Sequence, residues 1–262
     1  MQLIFLKLYA GLLLVFSCGY LNAQVAVPGQ PLPSWKEGML DLHHINTGWG
    51  DAAFYIFPDG TTMLFDAGEM NPTDERAFTP RNARMRPDYS RRPYEWVAYY
   101  IQKVAPLKEK TTIDYAAISH FHDDHFGSWY PGAKLSVTGK YSLTGITGVG
   151  ELIPIQYLLD RGYPDYNYPF DMKGLQADKH SGEINFAKTM QNYFAFTEAQ
   201  QQRGMKIGRL KAGSRTQIAM KYTPAKYPEF YVRNIKANGL IWNGKDAAVV
   251  EFFPPVDTAN RA

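Results

Sequence analysis

Cysteine is almost missing from this chain of 262 residues: Cys18 is the only one. No internal disulfide can form, and a core of this size does not need one. Thiolate is also unavailable to the folded part, so any metal there must rest on histidine and carboxylate. Charge of one sign is scarce as well. The formal net charge of +3 is too small to argue for nucleic acid or an anionic membrane as partner. The apolar run near the start, Leu8 to Phe16, is too short for a comfortable membrane span. Aromatic side chains are plentiful at 15%, including 18 Tyr, which favours ring packing and a substrate cleft lined by rings.

Lys7 precedes that apolar run and small residues follow it, the pattern of a secretory signal. Residues 1–23 then form a signal peptide cleaved after Ala23, leaving Gln24 first. Alternatively, Val15-Phe16-Ser17-Cys18 forms a bacterial lipoprotein signal with Cys18 lipidated. Either route exports the protein to the periplasm or beyond the cell, with a membrane as partner only through Cys18.

Residues 24–37 carry Pro28, Pro31 and Pro33 and read as an extended leader; the folded domain spans 38–262. Strands are expected over Met39 to Asn46, Ala52 to Phe57 and Thr61 to Phe65, with turns at Gly48-Trp49-Gly50-Asp51 and Pro58-Asp59-Gly60. Val97, Tyr100, Ile101 and Val104 share one face of a helix from Tyr94 to Val104. A buried strand, Ile113 to Ser119, follows. Beyond it lie a helical stretch near Glu151 to Leu159 and a longer helix from Gly182 to Arg203. Three strands complete the reading, around Gln217–Tyr222, Phe230–Ala237 and Ala247–Phe253, with a hairpin turn at Asp246. The order suits a layered α/β fold. Residues 139–235 stand out as an aromatic-rich insertion.

The decisive feature is His120-Phe121-His122-Asp123-Asp124-His125: three imidazoles and two carboxylates in six residues, directly after an apolar strand. In extended chain, His120, His122 and Asp124 project to one side. A turn into helix then brings His125 beside Asp124. Imidazole and carboxylate suit zinc or iron, and such a metal lowers the pKa of its water to near neutrality. Asp123 reads as an exposed spacer. His43 and His44 are adjacent on a strand, point to opposite faces, and read as core or surface residues.

The run matches H-x-H-x-D-H, and the chain thereby resembles the metallo-β-lactamase superfamily. Leu42 to Asp51 and Met63-Leu-Phe-Asp-Ala-Gly68 are similar to that superfamily's opening strand ladder, closest to the hydrolase-like domain of bacterial competence (DNA-internalisation) proteins. The resemblance covers about residues 38–130. It implies an αββα sandwich and two zinc ions in the complete protein, with iron or manganese suiting the same donors. It assigns His120 and His122 to a first metal and Asp124 and His125 to a second, with Asp124 also the catalytic residue that orients attacking water. It gives Asp66, at the end of the third strand, a supporting place beside the metals; from the sequence alone Asp66 reads equally well as a turn aspartate before Gly68. The implied activity is hydrolysis of an ester, amide or phosphodiester by metal-bound hydroxide, on a small-molecule or phosphodiester substrate with no specific nucleic-acid partner.

The resemblance also implies a further His, a bridging Asp in a Gly-Asp pair, and a last His. Here His180 is the only histidine after His125, and its polar setting reads as loop. No strand after residue 130 ends in Gly-Asp. The chain therefore reads as a fragment truncated at its C-terminus, expected to bind metal poorly and turn over little. Two other readings compete: a non-catalytic binding module with a degenerate site, and a di-iron redox enzyme on the same fold.

Overall fold

The computed structural model describes residues 27–75, 79–80, 83–106, 111–175 and 184–252. The signal region with Cys18, the histidine at 180 and the C-terminal tail lie outside them. The chain divides into two units, Met1–Ser34 and Trp35–Ala262; everything that follows concerns the second.

Its centre is a mixed six-stranded sheet in simple sequence order. β1 (Asp41–His44), β2 (Ala53–Ile56) and β3 (Thr62–Phe65) form an antiparallel ladder. β4 (Tyr115–Ala117), β5 (Tyr157–Asp160) and β6 (Lys206–Arg209) then add in parallel, each beside the last. The helices are α1 (Pro93–Val104), α2 (Asp123–Phe126), α3 (Gly145–Leu152) and α4 (Ile184–Gln202). A separate antiparallel sheet holds β7 (Lys236–Ala237), β8 (Leu240–Trp242) and β9 (Val249–Glu251). The protein is thus α/β, as its order of elements implies.

Alternation along the strands feeds two cores. Leu64, Ala116, Ile118 and Leu158 face the helices, where Val97, Ile101, Ile146, Val149, Met190, Tyr193 and Phe196 cover them. Met63, Tyr115, Ala117 and Leu159 face the other way, against Ile218, Met220 and Phe230 of irregular chain. Burying each large side chain contributes about 1.5–3 kcal/mol. α1 begins with Pro93 at its first position, and the Glu95 carboxylate accepts the Arg92 backbone N–H at 2.9 Å.

Three expectations fail here. The apolar run expected as helix over Glu151 to Leu159 splits: its start ends α3, and Tyr157–Asp160 is strand β5. No strand forms over Gln217–Tyr222, whose Ile218 and Met220 pack on the sheet from irregular backbone. Phe230–Ala237 is strand only at Lys236–Ala237, and β6 was unforeseen. Residues 139–235 supply β5, β6 and α4 to the main layers and are built into the fold.

Candidate metal centre

The C-terminal ends of β3, β4 and β5 lie side by side, the position where parallel α/β sheets present their ligands. β3 runs out into Asp66, which takes a left-handed backbone at φ 60°. β4 runs out into Ser119 and His120. His122 then caps α2, and the helix turns His125 back toward the strand ends. Extended backbone followed by one helical turn brings His120, His122, Asp124 and His125 together, as the spacing implies.

Asp66 organises them. Its carboxylate is buried and accepts the Ser119 backbone N–H at 2.8 Å, the Ser119 hydroxyl at 2.7 Å and His125 Nδ1–H at 2.9 Å. The Ser119 hydroxyl proton is committed to Asp66. Its oxygen therefore accepts from His120 Nδ1, 3.0 Å away. This network places hydrogen on Nδ1 of both His120 and His125 and turns their Nε2 atoms away from Asp66. His120 Nε2 meets His122 Nδ1 at 3.0 Å, and His125 Nε2 stands 3.8 Å from Asp124 Oδ1. Asp51, largely exposed, has Oδ2 3.8 Å from His125 Nδ1. Ser119 escaped sequence reasoning; its one signal is a hydroxyl directly before the first histidine of the run.

The charges follow from these contacts. The Asp66 hydrogen bond raises the pKa of His125 above 6.5, against desolvation and with help from the Asp66, Asp124 and Asp51 charges. Desolvation, then the neighbouring His125 and His122, lowers that of His120.

Two donors of one tetrahedral zinc, each at 2.0–2.1 Å, stand roughly 3.3 Å apart. The His120–His122 pair at 3.0 Å lies within hydrogen-bond distance and the Asp124–His125 pair at 3.8 Å lies beyond that separation. Neither pair has a third donor: among the described residues no three His, Cys, Asp or Glu side chains are grouped to hold a metal ion. Asp123 is half-buried, and its Oδ1 accepts the Asp124 backbone N–H at 3.1 Å, a helix-start contact.

Backbone packing fixes the loop. The Asp51 N–H donates to the Asp124 carbonyl at 2.8 Å, and Ala67 N–H to that of His125 at 2.8 Å. The Asp124 carbonyl lies so close to Gly68 and Gly50 that a Cβ on Gly68 would collide with it. These turn glycines hold the histidine loop against β3, a role their turn chemistry alone does not reveal. Beneath it, Glu69 is fully buried, paired to Arg92 at 2.6 Å and accepting the Tyr94 and Gly145 backbone N–H groups.

Two cavities flank the cluster. One of about 400 Å3 contains His120, His122, Arg161, Phe170 and Phe186. The other, about 510 Å3, contains His44, Asp51, Asp66 and His125. His43 points inward, its Nδ1 3.0 Å from the Tyr100 hydroxyl, while His44 is exposed.

Comparison with protein-family models, curated proteins and solved structures finds no match to this chain.

Proposed function

We propose that the chain is an exported metal-dependent hydrolase with a metallo-β-lactamase-type αββα fold, of which the six-stranded sheet and its helical layer form one half. The observation that supports this reading is the network in which one buried carboxylate, Asp66, holds the Nδ1 side of His125 directly and that of His120 through Ser119, turning both Nε2 atoms away from it. A purely structural histidine cluster has no need of matched tautomers facing cavities. His120 and His122 would hold one cation, Asp124 and His125 a second, with zinc the first choice and iron or manganese suited to the same atoms. Such an ion supplies an acidified water and polarises an ester, amide or phosphodiester bond. The protein's own part is to fix both imidazoles through Asp66 and Ser119, to orient the attacking water through Asp124, and to seat the substrate in the aromatic cavity.

The two-donor count at each pair favours a second reading, a binding module whose cation site is degenerate. Zinc content, together with turnover of chromogenic phosphodiesters and esters, separates the two. Hydrolysis that vanishes in His122→Ala and Asp124→Ala supports the enzyme. Turnover unchanged by both substitutions removes it.

A further inference from the structure

β5 adds in parallel beside β4, so its C-terminal end opens next to the histidine run. The residue that leaves it is Arg161. Arg161 lines the same cavity of about 400 Å3 as His120 and His122. It also lines a neighbouring cavity of about 330 Å3 with Ser119 and Tyr168. The guanidinium is held in place: Nε donates to Asn238 Oδ1 at 2.7 Å, Asn238 Nδ2 donates back to the Arg161 carbonyl at 2.6 Å, and the group stacks 5.2 Å over the Tyr168 ring. Burial lowers its pKa, a sign of how far it is desolvated.

What it lacks is a direct ion pair, although Asp74 and Asp123 line the same cavity. Among the described residues Arg161 forms no ion pair. The adjacent Asp160 is filled by the Tyr166 and Tyr193 hydroxyls and the Gly162 and Tyr163 backbone N–H groups. Asp165 is taken by Arg209 at 2.9 Å. A half-buried cation with no ion pair carries some cost of desolvation. An anion with two oxygens offsets that cost, because the planar guanidinium grips such groups through charge-assisted paired bonds. Phe170, Met172 and Phe186 also line this cavity, giving it apolar surface.

We infer that Arg161 anchors the anionic group of the ligand, and that the ligand is a monoanion on an apolar or aromatic body, of which an aryl phosphodiester is the prime case. This rests on the hydrolase reading for the fate of the ligand, but its binding can be measured without turnover. The guanidinium would hold the anion beside the His120 and His122 ring nitrogens, so the bond to be broken is presented to the cation site.

The test uses the full chain stripped with a chelator and titrated calorimetrically with methyl phenylphosphonate, benzoate and neutral benzamide. Wild type is expected to bind at least one anion tenfold or more tightly than benzamide. Arg161→Gln and Arg161→Ala are expected to erase that preference, and Arg161→Lys to keep part of it, with unchanged circular dichroism. A preferred phosphonate marks a phosphodiester ligand; a preferred benzoate supports the anchor and marks a carboxylate. Equal binding of all three ligands by wild type, or an anion preference surviving in well-folded Arg161→Gln, overturns the inference. Chromogenic turnover separates it from the parent reading. Arg161-dependent binding in a chain that hydrolyses nothing keeps the anchor and removes the hydrolase. Hydrolysis with the same KM for anionic and neutral esters in wild type and Arg161→Gln does the reverse.

Discussion

Asp66 and Gly68, two residues apart, do different jobs for the same loop. Asp66→Ala removes three hydrogen bonds and leaves the Ser119 backbone N–H without its acceptor. Both imidazoles then lose their fixed tautomer, and metal affinity is expected to fall about 10–100-fold, read by zinc competition with a chromophoric chelator. Gly68→Ala drives a methyl into the Asp124 carbonyl. It should destabilise the fold by about 3 kcal/mol in urea denaturation, since backbone has little room to yield. His43 offers a test away from the cluster. Burial lowers its pKa from 6.5, only partly opposed by Asp41 at 3.9 Å, and its Nε2 has no hydrogen-bond partner. A depressed histidine leaves stability intact above pH 6.5 and erodes it as the pH falls below, because the unfolded chain takes up the proton first. The acid limb of a denaturation profile should therefore flatten in His43→Phe. At this scale the sequence was informative. The proximity of His120, His122, Asp124 and His125 was legible from spacing, since alternation followed by a turn dictates who meets whom; Asp66 was singled out only through the family resemblance. Ser119 and Arg161 were not, because a hydroxyl or guanidinium gains its role only from neighbours distant in sequence.

Among the elements, the histidine loop depends on what supports it. Glu69 ties the starts of α1 and α3 together beneath it, through Arg92, Tyr94 and Gly145. Glu69→Ala would strand the Arg92 charge and two backbone N–H groups. We expect a loss of about 3–5 kcal/mol, measured by thermal and urea unfolding. The ladder β1–β3 and helix α1 could be read from period and turn residues alone. β5 could not: Tyr157-Leu-Leu-Asp160 is a short apolar run, and periodicity cannot tell a doubly buried strand from helix. β6, Lys-Ile-Gly-Arg, hides for a different reason. It is an edge strand with little apolar signal, and pairing with β5 rather than its own residues makes it extended. The segment around Ile218 and Met220 errs in the opposite sense, because alternating burial on a sheet face does not require a strand.

At the scale of the molecule, a six-stranded sheet with helices on one face brings the ends of β3, β4 and the turn after it to one place. Among the described residues no helix is long and apolar enough to cross a membrane. The central claim is that His120, His122 and His125 hold a cation while the remaining described histidines do not. It is tested most directly by following the histidine ring nitrogens by NMR as zinc is added to the chain. The account predicts that His120 Nε2, His122 Nδ1 and His125 Nε2 shift together while His43 and His44 stay still. Silence from the three, or an equal response from His43 and His44, would contradict it.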